Sequence, residues 1–97
     1  MIFKESLQAA ACIRQQRLSG LLDNLARFGA LPGGGVNRQA LSAEELDARA
    51  WLLALAADLN CQVYTDACAN LFIRRPGRRD LSPVTTGSHI DTQPCGG

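Results

Sequence analysis

The residues best suited to chemistry lie near the C-terminal end, in Thr86-Gly87-Ser88-His89-Ile90-Asp91-Thr92-Gln93-Pro94-Cys95-Gly96-Gly97. His89 is the only histidine, and Asp91 follows two positions later. In extended backbone, residues two apart project to the same side. An imidazole that holds a metal needs its second ring nitrogen fixed by an acceptor, and a neighbouring carboxylate often supplies it. The pair also follows a β-prone run, the place where open α/β sheets bind ligands. Taken alone, a His-x-Asp triplet is weak: a loop histidine beside an Asp-Thr turn explains it with more prior weight.

Other reactive side chains point to less. Cys12, Cys61, Cys68 and Cys95 form no Cys-x2-Cys or Cys-x4-Cys pair, so they read as buried or incidental thiols. Cys95 reads as a variable loop residue, because no second histidine exists to activate it as a nucleophile. Arg74, Arg75, Arg78 and Arg79 read as a solvated turn: the net charge is only +1 and no aromatics interleave. Pro32-Gly33-Gly34-Gly35 lacks the Gly-Lys-Ser/Thr ending of a phosphate loop and reads as a plain loop. Arg38 is expected in a structural salt bridge, with a site-facing arginine as the alternative.

Something must position these groups within 97 residues that are 46% hydrophobic and 20% charged, a globular composition that excludes a disordered tail and argues against a nucleic-acid binder. The longest apolar run, Ala50 to Ala57, is far short of the about 20 residues of a membrane span. The N-terminus shows no secretory signal, so the expected compartment is the cytoplasm. Leu18, Leu21, Leu22, Leu25 and Phe28 follow helical spacing, and a less clean stripe extends the expected helix back to about residue 4. Gly20 weakens that helix and Gly29 stops it. Ser42-Ala43-Glu44-Glu45 forms a capping box, with Leu41 and Leu46 as a hydrophobic staple, opening a second helix over about 43–59. Asn60 closes it in the left-handed conformation. The apolar residues of this helix, Trp51 among them, expect cover on more than one side. Runs at about 62–66 and 70–74 predict a β-hairpin, and Pro83-Val84-Thr85-Thr86-Gly87 a third strand. The expected class is α/β: two helices, a hairpin and a third strand, with nothing to cover the far side of the sheet.

Four blocks in register give a more specific reading. They are Gly35-Val36-Asn37-Arg38-Gln39-Ala40-Leu41-Ser42; a helix with Ala48-Arg49-Ala50-Trp51-Leu52; Asp66 to Asn70-Leu71-Phe72; and Gly87-Ser88-His89-Ile90-Asp91-Thr92-Gln93-Pro94 with Gly96-Gly97. Together they resemble the N-terminal part of the hydantoinase/carbamoylase family of metal-dependent amidases. That family includes N-carbamoyl-L-amino-acid hydrolases, β-ureidopropionases and allantoate amidohydrolases. The resemblance covers nearly all of residues 18 to 97. It implies that residues 1–97 are an incomplete piece of a two-metal aminopeptidase/carboxypeptidase-like catalytic domain, with the dimerisation domain absent.

The same resemblance implies roles. His89 corresponds to the first metal-ligand histidine and Asp91 to the aspartate that orients it. The intact enzyme is expected to use two divalent metals, zinc or manganese, to hydrolyse a C–N bond in a carbamoyl amino acid, ureido acid or allantoate. Its partners are a small-molecule substrate and a second copy in a homodimer, with no nucleic acid and no membrane. A metal-bridging aspartate is expected at position 100, and the general-base glutamate and further ligands later still. The 97 residues are therefore expected to be inactive alone. The competing expectation is a small non-catalytic interaction module or a gene remnant. One departure from the family pattern is Ala69, where glycine is usual, which predicts an adjusted or strained hairpin turn.

Overall fold

In a computed structural model the described residues are 3–94. The order is α1 (Lys4–Ala11), α2 (Gln15–Ala26), α3 (Ala43–Asp58), β1 (Gln62–Thr65) and β2 (Leu71–Arg74). The α/β character stands, with two corrections. The expected first helix is two helices, broken at Cys12–Arg14, where Arg14 is extended (φ −117°, ψ 119°). No residue of α1 is buried, so no packing offsets the cost of carrying the helix through Ile13. Arg17 donates to the freed Cys12 carbonyl at 3.2 Å. The expected third strand does not form either. Residues 83–87 belong to no ladder, and the sheet is the antiparallel pair β1-β2 alone. A groove of about 690 Å³ lies between β2 and residues 83–88, and Pro83 has no N–H to bridge it.

The cap of α3 holds with one shift. Ser42 Oγ accepts from the Glu45 N–H at 3.2 Å, but Glu45 Oε2 accepts from the Leu41 N–H, also 3.2 Å. The Ser42 N–H is already committed to the Gln39 carbonyl. Leu41 and Leu46 are both exposed, so the expected staple buries nothing; Leu41 stands at φ 63°. At the far end Asn60 adopts φ 55° as expected. Its N–H bonds the Ala57 carbonyl and that of Cys61 the Ala56 carbonyl, the paired closure of a Schellman motif. Arg75 adds a bond to the Leu59 carbonyl at 3.1 Å, so one residue of the arginine-rich turn has a structural task.

The strands pair in register Gln62↔Arg74 through Thr65↔Leu71. Tyr64 and Phe72 face each other across the ladder and stack, with centroids 4.6 Å apart and planes within 4°. The turn between the strands is organised by Asp66, whose carboxylate accepts from the N–H groups of Cys68 (3.0 Å) and Asn70 (2.9 Å) and from the Asn70 amide (2.9 Å). Ala69 occupies the left-handed region at φ 64°, the strained turn expected for an alanine there. Its carbonyl accepts from Arg49 Nη2 at 2.5 Å, and Arg49 Nε is ion-paired with Glu45. One chain of polar contacts thus runs from the α3 cap to the hairpin turn.

The interior is small. Among the described residues Ala48, Ala56, Arg38 and Glu45 are buried, and Phe28, just past α2, meets Trp51 of α3 with ring centroids 6.1 Å apart. Accessible surface is 8204 Å², against about 5,400 Å² expected from the scaling for a compact 10.4 kDa chain. The radius of gyration is 15.8 Å, against about 12.5 Å expected for this length. The sheet stays open, as the sequence predicted, whereas α3 lacks the cover its apolar residues expect, with Leu46 and Leu53 exposed. No helix among the described residues is long and apolar enough to cross a membrane.

Two glycines separate backbone need from habit. A Cβ on Gly29 (φ 86°) would lie 2.3 Å from the Asn37 carbonyl oxygen, whereas one on Gly20 meets nothing within 4 Å. Gly20→Ala is expected to stabilise the chain by about 1 kcal/mol and Gly29→Ala to destabilise it by about 2 kcal/mol, read by urea unfolding of the helical signal. Equal effects would contradict this assignment. The hairpin turn also sets a pH dependence. The Asn70 side-chain bond, then the N–H of Asn70 and that of Cys68, hold the Asp66 carboxyl below its ordinary value of 3.8. A depressed folded value means the turn is supported above pH 3.8 and loses that support as pH falls through the lower folded value. The Tyr64–Phe72 near-ultraviolet dichroism should fall in that acid window, and Asp66→Asn should remove the dependence.

Candidate active-site segment

His89 and Asp91 lie on an extended segment with no ladder of its own, so other contacts must place them. Those contacts come from Arg38. Its side chain is buried, and Nε donates to the Ile90 carbonyl at 2.7 Å. Nη1 donates to the Leu25 and Phe28 carbonyls at 2.8 and 2.7 Å. The Phe28 carbonyl has no other partner among the described residues, and the Leu25 carbonyl also takes the Phe28 N–H at 3.3 Å; both lie at the C-terminal end of α2, where a cation meets the negative end of the helix dipole. The Arg38 main chain completes the attachment. Its N–H donates to Thr92 Oγ1 (2.8 Å), its carbonyl accepts the Thr92 N–H (2.7 Å), and Thr92 Oγ1 donates to the Val36 carbonyl (2.7 Å).

The expected salt bridge of Arg38 is therefore replaced by a carbonyl clamp. No carboxylate pairs with it among the described residues. The reason is local: the stretch just past α2 and a passing loop each leave a carbonyl unmet, Phe28 and Ile90, and one planar guanidinium reaches both. The sequence signal was present in the Asn37-Arg38 block and in Thr92, but spacing alone could not show which acceptors would gather. Gly29 permits the geometry, since its carbonyl accepts the Asn37 N–H at 2.8 Å at the closest approach.

His89 and Asp91 do come together. Nδ1 of His89 is 2.8 Å from the Asp91 main-chain carbonyl and 3.3 Å from its Oδ1. A carbonyl only accepts, so Nδ1 carries the proton and Nε2 presents its lone pair. The His89 side chain is 80% exposed and that of Asp91 49%, so the imidazole faces solvent. The arrangement suits one ligand to a divalent metal, with its other nitrogen held by an acceptor. Among the described residues no three histidine, cysteine, aspartate or glutamate side chains gather to hold a metal. The pair borders a recess of about 750 Å³ walled by Leu31, Gly34, Gly35 and Val36. The glycine-rich loop, read from sequence as plain connection, is thus a wall beside the candidate ligand. Cys12, Cys61 and Cys68 are free thiols, none of them on this recess; Cys95, Gly96 and Gly97 lie outside the described residues.

Comparison with known proteins gives the family that the four sequence blocks resemble. No protein-family model matches the chain. It is 34% identical over 86 residues to an N-carbamoyl-L-amino-acid amidohydrolase of Rhizobium meliloti, covering 88% of this chain and 21% of that one. To an N-carbamoyl-L-amino acid amidohydrolase of Geobacillus stearothermophilus it is 36% identical over the same shares. A crystal structure of a hydantoinase/carbamoylase family amidase from Burkholderia ambifaria superposes with TM-score 0.83 at 43% identity, covering 88% of this chain and 21% of that one. Sequence and backbone together define a segment shared with these enzymes. The family is the hydantoinase/carbamoylase amidases, and the chain spans about a fifth of the length of the relatives it matches.

Proposed function

We propose that the 97 residues carry the first metal ligand of a hydantoinase/carbamoylase-type amidase that hydrolyses a C–N bond in a carbamoyl or ureido acid. The observation that supports this most is His89, presented with Nε2 free and Nδ1 held by Asp91, in a segment 43% identical to a family amidase. In this reading His89 would hold one of two divalent metals, zinc or manganese, and Asp91 would keep the ring oriented and basic. Such a metal, when bound, polarises the scissile carbonyl and acidifies water. This chain's own part is to fix the imidazole tautomer and to wall one side of the cleft with the glycine-rich loop. The substrate class stays at carbamoyl and ureido acids, since relatives named for N-carbamoyl amino acids and for ureidoglycolate match to similar degrees. The intact enzyme in this proposal is a cytoplasmic homodimer.

The 97 residues alone are proposed to be inactive, because a catalytic zinc needs about three protein ligands and one is present. A self-contained interaction module is disfavoured by the surface, about half as large again as a compact chain of this mass exposes.

A chimera tests the proposal: this chain's matched segment replaces its counterpart in the Geobacillus stearothermophilus relative. Metal-dependent ammonia release from an N-carbamoyl amino acid is expected, abolished by His89→Ala and lowered about 10- to 100-fold by Asp91→Asn. A folded chimera in which His89→Ala leaves the rate intact would overturn the assignment. The isolated chain, supplied with zinc or manganese, is expected to show no turnover in the same assay.

A further inference from the structure

We propose that Arg38 is a positioning residue that sets the tautomer of His89 through the peptide groups on both sides of Asp91. The Ile90–Asp91 peptide offers its carbonyl to Arg38 Nε at 2.7 Å. The Asp91–Thr92 peptide offers its N–H to the Arg38 carbonyl, also at 2.7 Å. That second peptide turns its own carbonyl to His89 Nδ1 at 2.8 Å. One polarised line therefore runs from the Arg38 carbonyl, through the Asp91–Thr92 peptide, to the imidazole N–H. With both flanking peptides tied to one residue, Asp91 cannot rotate its carbonyl away from the ring without breaking a bond to a buried guanidinium or to its main chain. The Arg38 N–H closes the same bracket on Thr92 Oγ1 at 2.8 Å.

The tie matters because the His89 ring is otherwise free. Its side chain is 80% exposed, no packing restrains it, and the carboxylate of Asp91 lies farther from Nδ1, at 3.3 Å, than the carbonyl does. An unrestrained imidazole favours the Nε2–H tautomer, which would put a proton on the nitrogen that faces outward. The 2.8 Å approach of Nδ1 to a carbonyl calls for the proton on Nδ1, and the backbone carbonyl that selects it is itself held by Arg38 from 53 residues away. Thr92 completes the bracket and is the second positioning residue.

The inference concerns how the proposed metal ligand is prepared, so it rests on the proposed function for its purpose but not for its test. Because His89 is the sole histidine, its ring nitrogens can be read directly in the full 97-residue chain by long-range nitrogen–proton correlation, in which the two neutral tautomers and the charged ring give distinct patterns. The unmodified chain is expected to show a majority Nδ1–H form. Arg38→Met should swing the majority to Nε2–H, and Thr92→Val should shift it in the same direction by less. The Trp51 indole signal and the Tyr64–Phe72 dichroism report whether each variant keeps the rest of the fold.

A folded Arg38→Met chain that keeps Nδ1–H would show that Arg38 acts on stability alone and would overturn the proposal. So would a majority Nε2–H form in the unmodified chain with its Trp51 and Tyr64–Phe72 signals intact, a result that needs no variant to fold. If Arg38→Met unfolds, the Thr92→Val shift decides alone: its absence in a folded chain overturns the proposal. A chimera that fails to hydrolyse carbamoyl acids while these tautomer shifts occur would remove the proposed function and leave the positioning role intact.

Discussion

A buried cation with no carboxylate partner is the constraint on which the site depends. A guanidinium removed from water needs partners for its donors, and Arg38 Nε and Nη1 find them in carbonyls from the end of α2 and from the segment between His89 and Asp91. The Phe28 and Ile90 carbonyls have no other partner among the described residues, and the Leu25 carbonyl also takes the Phe28 N–H. Without the cation, two of the three acceptors would be left unmet. This makes the connection between α2 and the site segment a requirement of burial rather than an incidental contact.

A second polar line organises the other half of the molecule. Glu45 caps α3 through the Leu41 N–H, pairs with Arg49, and so aims Arg49 at the Ala69 carbonyl in the hairpin turn. The helix interior supplies only Ala48 and Ala56 as buried apolar residues, so this line and the Phe28–Trp51 contact do much of the joining that a larger core would do. The hairpin in turn is kept in shape by Asp66, whose three accepted bonds hold the turn around an alanine in the left-handed region. Both lines end on main-chain carbonyls, an economical choice in a segment where few side chains are buried.

The sequence displayed the local events well. The Ser42 cap, the Asn60 closure, the Gly29 stop and the paired strands each follow from residue types acting within a few positions. It misread what depends on distant partners. The helix over 4–28 was expected whole because the leucine stripe could be extended on paper, but α1 has nothing to pack against. Residues 83–87 carry strand composition, but a groove separates them from β2 and they remain a loop. At the site, His89 and Asp91 were legible as a pair, and the order of four motif blocks pointed to the family. The Arg38 clamp was not legible, because it joins acceptors from three separate stretches that no local pattern brings together.

The separation between Arg38 and Thr92 has a kinetic consequence. Closing a loop of this length costs about 3.5 kcal/mol by the logarithmic term alone, and no ladder forms along residues 75–94 to shorten the search. Helices and the hairpin arise from near neighbours, so they precede this closure on any route that follows loop entropy. The two residues that make the imidazole useful are therefore fastened last. In a nascent polypeptide, correct presentation of His89 would mark the completion of everything folded before it.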